Sequence, residues 1–139
     1  MKPDLIYGKI ESVRRCIRRI EEKRPADVNI LKTDYDVQDI ISINLERAVQ
    51  TSVDIAAVIL AECEKKAPAT MAESFEKLKE EGIITAELGE KLMKAVGFRN
   101  ISVHEYQNID WEIVFSIIHH RIGDFKKYIK AVLDYLERK

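Results

Sequence analysis

Apolar residues recur along almost the whole of this chain at steps of three and four, the period that lays one stripe down an α-helix. In the first segment Ile6, Ile10, Val13, Ile17 and Ile20 obey it. Arg24-Pro25 ends the segment, because a residue before proline is pushed out of the α region. With 5 glycines and 3 prolines in 139 residues, turn formers are too scarce for an all-β architecture. Long helices with few connections remain. At 46% apolar and 34% charged, the chain buries a core under a solvated surface, which excludes disorder. Its length suits one domain, residues 1–139.

The remaining elements follow from the same period and from caps. After a polar connection, Asp34 or Asp36 caps a long helix from about Val37 to Lys65. It carries two apolar stripes, one through Val37, Ile41, Leu45, Ala48, Ser52, Ile55 and Ile59, the other through Val49, Val53, Ala57 and Leu60. A helix striped twice is packed on two sides, hence central. Ala67-Pro68-Ala69 stops it. Thr70 and Glu73 form a capping box on a short third helix, which Gly82-Ile83 closes as a left-handed C-cap. Thr85 caps a fourth helix with Leu88, Leu92, Val96, Arg99 and Val103 on one face. Beyond the loop 107–110, Asp110 caps a last helix whose stripe runs from Trp111 through Val114, Ile118, Ile122, Phe125, Ile129 and Val132 to Leu136. The expected architecture is an all-α bundle of four long helices plus one short one.

Several function classes drop out. Lysine plus arginine (23) balances aspartate plus glutamate (24), so any electrostatic case must be local. Cys16 and Cys63 have no Cys-x-x-Cys spacing and fall at helical apolar positions, where free cysteine acts as a small hydrophobe. The N-terminus lacks a signal-peptide stretch, and the most apolar window, residues 53–61, already contains Asp54. A soluble cytoplasmic protein is expected. His104, His119 and His120 have no Glu-x-x-His partner, and adjacent His119 and His120 point about 100° apart on a helix, so no metal site is expected. His119 and His120 read as surface or interface residues. There is no phosphate loop and no nucleophilic triad.

The end of the fourth helix is different. Arg99 sits on the apolar stripe, where a charge is costly unless paired or facing a cleft. Asn100 and His104 lie four apart on one face, and Arg99 and His104 flank the helix end. A fixed cation, an amide and a group titrating near neutrality suit phosphodiester chemistry. The same residues also fit a structural role, with Arg99 paired to a carboxylate such as Asp54 and His104 closing the helix against its dipole. Arg14, Arg15, Arg18 and Arg19 cluster on the first helix, where residues 9–24 hold seven bases and three acids. They form either a solvated face or an RNA-contacting patch.

Arg99-x4-His104-x-Tyr106 resembles the Arg-x4-6-His signature of the HEPN superfamily, and the added tyrosine resembles specifically the HepT toxins of HepT–MntA toxin–antitoxin pairs. Asn44-Leu45-Glu46-Arg47, Asp54-Ile55-Ala56, Phe75 to Leu78, Gly82-Ile83-Ile84 and Gly97-Phe98-Arg99-Asn100 are similar to that family too. The resemblance implies a HEPN-like bundle, a homodimer, and a metal-independent endoribonuclease toxin of a type VII-like pair. It further implies neutralisation by an MntA-like minimal nucleotidyltransferase that transfers AMP to Tyr106. In such a mechanism His104 deprotonates the RNA 2′-hydroxyl, Arg99 stabilises the phosphorane, and Asn100 orients the phosphate or the imidazole. The resemblance implies no cofactor for the toxin. ATP and Mg²⁺ serve only the partner, which also supplies the base for AMP transfer. The competing expectation is a non-catalytic helical module whose Arg99/His104 surface binds the nucleotidyltransferase or a nucleotide.

Overall fold

The longest helix begins at Asp34, whose Oδ1 accepts the main-chain N–H groups of Asp36 (3.0 Å) and Val37 (3.2 Å). Those donors have no partner inside a helix. In the computed structural model, which describes residues 3–138, this helix is α3 (Tyr35–Glu62). It is preceded by α1 (Pro3–Lys23) and α2 (Val28–Thr33). After it come α4 (Met71–Glu80), α5 (Ala86–His104), a 3-10 turn (Tyr106–Asn108), α6 (Trp111–His120) and α7 (Ile122–Glu137). No strand occurs among the described residues, so the all-α helical bundle is borne out. No helix of the described residues is long and apolar enough to cross a membrane.

The expected caps are in place. Thr70 accepts from the Glu73 N–H and Thr85 from the Leu88 N–H, each at 3.1 Å. Gly82 adopts φ +73°, and the N–H of Ile83 reaches the Leu78 carbonyl, the Schellman pattern that only a residue at ease with positive φ completes without strain.

The core runs along α3, which packs against α1, α2, α4 and α5. Ile6, Ile10, Val13, Ile17 and Ile20 of α1 are all buried, as are Ile41, Leu45, Ala48, Ile55 and Ile59 of α3. Each such aliphatic side chain contributes roughly 1.5–3 kcal/mol. Tyr128 of α7 is fully buried at the centre. Its hydroxyl donates to the Ser52 carbonyl at 2.8 Å, and Phe75 meets its ring edge-to-face at 5.6 Å.

Three expectations change. The connection before α3 contains a helix, α2, capped by Asp27 and pinned by buried Leu31; six residues are too few for a period to declare itself. The last helix is two, because Arg121 departs from helical geometry (φ −120°, ψ −3°) while the apolar period continues across it. The break lets α6 pack on α2 and α7 on α1 and α5. Val103 is 46% exposed, and neighbouring Ser102 is the buried residue instead. In the last turn of α5 only Ser102 is buried, and it is hydrogen-bonded to Glu46 of α3.

Candidate active site

α3 and α5 run antiparallel and meet through a ladder of polar side chains. Asp39, Glu46 and Gln50, seven and four apart, share one face of α3. Opposite them come Tyr106, Ser102 and Arg99. Tyr106 Oη donates to Asp39 Oδ1 at 3.1 Å, Ser102 Oγ donates to Glu46 Oε1, and Arg99 Nη2 donates to Gln50 Oε1 at 3.3 Å. Gln50 passes its other end onward, its Nε2 donating to Asp54 Oδ1 at 3.0 Å.

Arg99 is therefore half-buried and held by an amide, and it reaches Asp54 only through Gln50. Its Nη1 also contacts the side-chain oxygen of Asn100 at 3.4 Å. Asn100 thus turns its acceptor toward Arg99, leaving its NH₂ without a hydrogen bond among the described residues. Nε of Arg99 is buried with no hydrogen-bond partner among the described residues, which raises the cost of holding this cation here.

His104 is the last residue of α5 and is exposed. Arg99, Asn100 and His104 thus lie within one and a half turns at an open helix end. Tyr106 follows in the 3-10 turn, 39% exposed, its ring edge against Trp111 at 6.0 Å. Partial burial pushes its phenol above the ordinary tyrosine range; a hydrogen bond with Ser42 opposes the rise, and the Asp39 carboxylate adds to it.

The other singled-out residues lie elsewhere. Arg14 and Arg18 line a groove of about 450 Å³ between α1 and α7 with Lys126, Lys130 and Glu21. Arg14 pairs with Glu11 at 2.5 Å and Arg19 with Glu22 at 3.4 Å, and Arg15 is exposed. No hydrogen bond links any of the four to Arg99, Asn100 or His104 among the described residues. His119, read as a surface or interface residue, is half-buried, with its ring tilted against Phe115 (centroids 4.3 Å apart) and a hydrogen bond to the Pro25 carbonyl (2.8 Å). His120 is exposed. Among the described residues no cluster of histidine, cysteine or carboxylate is arranged to hold a metal. Asp39, Ser42, Gln50 and Ser102 escape a sequence reading; for the first three the one signal was polar residues at helical spacing on α3.

Comparison with known proteins gives the family. The HepT-like ribonuclease model matches residues 13–132. An mRNA nuclease HepT of Shewanella oneidensis is 35% identical over 129 residues, covering 93% of this chain and 96% of the relative. A tRNA nuclease HepT of Aphanizomenon flos-aquae is 26% identical over 136 residues, covering 98% and 92%. The solved structure of a tri-AMPylated Shewanella oneidensis HEPN toxin in complex with MNT antitoxin superposes with a TM-score of 0.89 at 34% identity, over 96% of this chain and 99% of that one. The chain belongs to the HepT-like ribonuclease family.

Proposed function

We propose that this chain is the ribonuclease toxin of a toxin–antitoxin pair, cutting RNA without a metal at the open end of α5. The observation that carries the reading is Arg99, held by Gln50, within one and a half turns of exposed His104. His104 takes the proton of the RNA 2′-hydroxyl as the O2′–P bond forms, and Arg99 neutralises the charge on the phosphorane. The P–O5′ bond breaks, leaving a 2′,3′-cyclic phosphate and a 5′-hydroxyl. DNA, lacking the nucleophile, is inert.

The leaving oxygen needs a proton, and each chain has one histidine at this end. A homodimer that joins two α5 ends across a two-fold axis supplies the second. Exposed Ile101, Val103 and Ile113 support this, with a groove of about 500 Å³ lined by Phe98, Ile109, Ile117 and Phe125 beside them. Arg14, Arg15, Arg18 and Arg19 add phosphate contacts away from the cut.

The partner is an MntA-like nucleotidyltransferase that neutralises the toxin by placing AMP on Tyr106. Support comes from the tri-AMPylated relative bound to MNT antitoxin and from the exposure of Tyr106 two residues beyond His104. An added phosphodiester competes for Arg99, and the adenosine fills the RNA cleft. The decisive experiment is an RNase assay on purified protein beside His104→Ala, with product ends mapped. Cyclic-phosphate ends from the wild type alone support the reading. No cleavage by a folded wild type that still binds the nucleotidyltransferase favours the non-catalytic module.

A further inference from the structure

AMP transfer to a tyrosine requires that the phenol lose its proton as its oxygen meets phosphorus, and the α3–α5 ladder places a carboxylate on that proton. Tyr106 Oη donates to Asp39 Oδ1 at 3.1 Å, inside the range a general base needs in its reactive complex. Asp39 is exposed and makes no ion pair among the described residues, so no cation competes for its lone pairs. Ser42, one turn along α3, directs its hydroxyl to the Asp39 main-chain carbonyl at 3.4 Å. With its hydrogen on Asp39, the phenolic oxygen keeps its lone pairs for phosphorus. The Trp111 ring against the tyrosine edge restrains the side chain.

We propose that Asp39 is the general base of Tyr106 AMPylation, so that the toxin, and not only its partner, supplies catalytic machinery for its own neutralisation. This rests on the reading of Tyr106 as the AMP acceptor, and it replaces the expectation that the base comes from the nucleotidyltransferase. Tyr106 Oη attacks the α-phosphorus of ATP held with Mg²⁺ by the partner. The Oη–P bond forms, the bond from the α-phosphorus to the bridging β-phosphate oxygen breaks, pyrophosphate leaves, and the hydroxyl proton passes to an Asp39 oxygen and then to water. A carboxylate suffices although the free phenol is weakly acidic, and partial burial, which pushes the Tyr106 pKa up, makes a base more necessary. The proton becomes acidic only as the oxygen bonds to phosphorus, so transfer is concerted with attack. Afterwards the phosphodiester anion lies beside the Asp39 carboxylate. Repulsion drives the modified side chain off α3, so the Tyr106–Asp39 hydrogen bond is lost for good.

The test is single-turnover AMPylation of the toxin in complex with an MntA-type nucleotidyltransferase, ATP and Mg²⁺, read by intact mass, for wild type, Asp39→Asn, Asp39→Glu and Tyr106→Phe. Asp39→Asn keeps the size of the side chain and loses the basicity. It is expected to slow AMP addition about 100-fold or more while still co-eluting with the partner, and Asp39→Glu to recover at least about tenfold of that loss. An Asp39→Asn rate within threefold of wild type overturns the proposal. Equal defects in Asn and Glu variants overturn it as well, as does a loss that tracks failed complex formation. If the wild type acquires no AMP, or Tyr106→Phe acquires as much, the Tyr106 reading itself fails. That outcome is distinct from an Asp39 variant that is modified normally.

Discussion

The guanidinium of Arg99 is suspended from Gln50 on the neighbouring helix, Nη2 to Oε1 at 3.3 Å, with Gln50 steadied in turn by Asp54 at 3.0 Å. An arginine that must meet a phosphorane is useful only if its planar head is already turned toward it. Gln50→Ala is therefore expected to slow RNA cleavage about tenfold, or ~1.4 kcal/mol of transition-state stabilisation, with the melting temperature barely moved. Unchanged turnover in a steady-state assay would show that Arg99 orients itself.

At the cutting end, Arg99→Lys keeps the charge but not the fork. It should lose roughly 100-fold in rate, about as much as His104→Ala. Excess EDTA should leave the wild-type rate unchanged. Activity that vanishes with chelator and returns with Mg²⁺ would replace the histidine mechanism with a metal one.

Sedimentation velocity at micromolar concentration should show a dimer. Val103→Asp, which charges an exposed apolar residue beside His104, should weaken that dimer and lower cleavage in proportion. An active monomer would remove the second histidine from the reaction.

Tyr106→Phe keeps the ring against Trp111 and removes the acceptor oxygen. Cleavage is expected within about twofold of wild type, whereas preincubation with the nucleotidyltransferase, ATP and Mg²⁺ should silence only the wild type. The residual activity of each after that incubation reads the result directly.

Alkaline pH should unfold the protein for a defined reason. Burial pushes the Tyr128 phenol far above its ordinary value, and Tyr135 is pushed up to about 12. A group whose folded pKa is raised stabilises fully below its unfolded value and loses that contribution as pH climbs toward the folded one. Stability should start to fall near pH 9, where the buried Cys16 thiol, also raised, begins to matter. It should steepen above about pH 10 by ~1.4 kcal/mol per pH unit for Tyr128. Tyr128→Phe should cost ~1 kcal/mol at neutral pH and flatten that limb. Melting curves from pH 7 to 11.5 compare the two proteins.

Local order was legible in the sequence because it depends on neighbours a few residues apart. The capping hydroxyls of Thr70 and Thr85, the carboxylates of Asp34 and Asp110, the left-handed Gly82 and the stripe of α1 all lie where the spacing places them. Arg99, Asn100 and His104 were legible for the same reason: four or five residues on one helix end fix one another's directions. Even so, the period ran straight through Arg121, because apolar side chains at the right spacing serve two helices as well as one. What the tertiary structure alone decided is the company these residues keep. Gln50 lies 49 positions from Arg99, Glu46 56 from Ser102 and Asp39 67 from Tyr106. No periodicity links such distances; they become hydrogen bonds only when burial of the apolar faces sets α3 antiparallel to α5 and fixes the register between them.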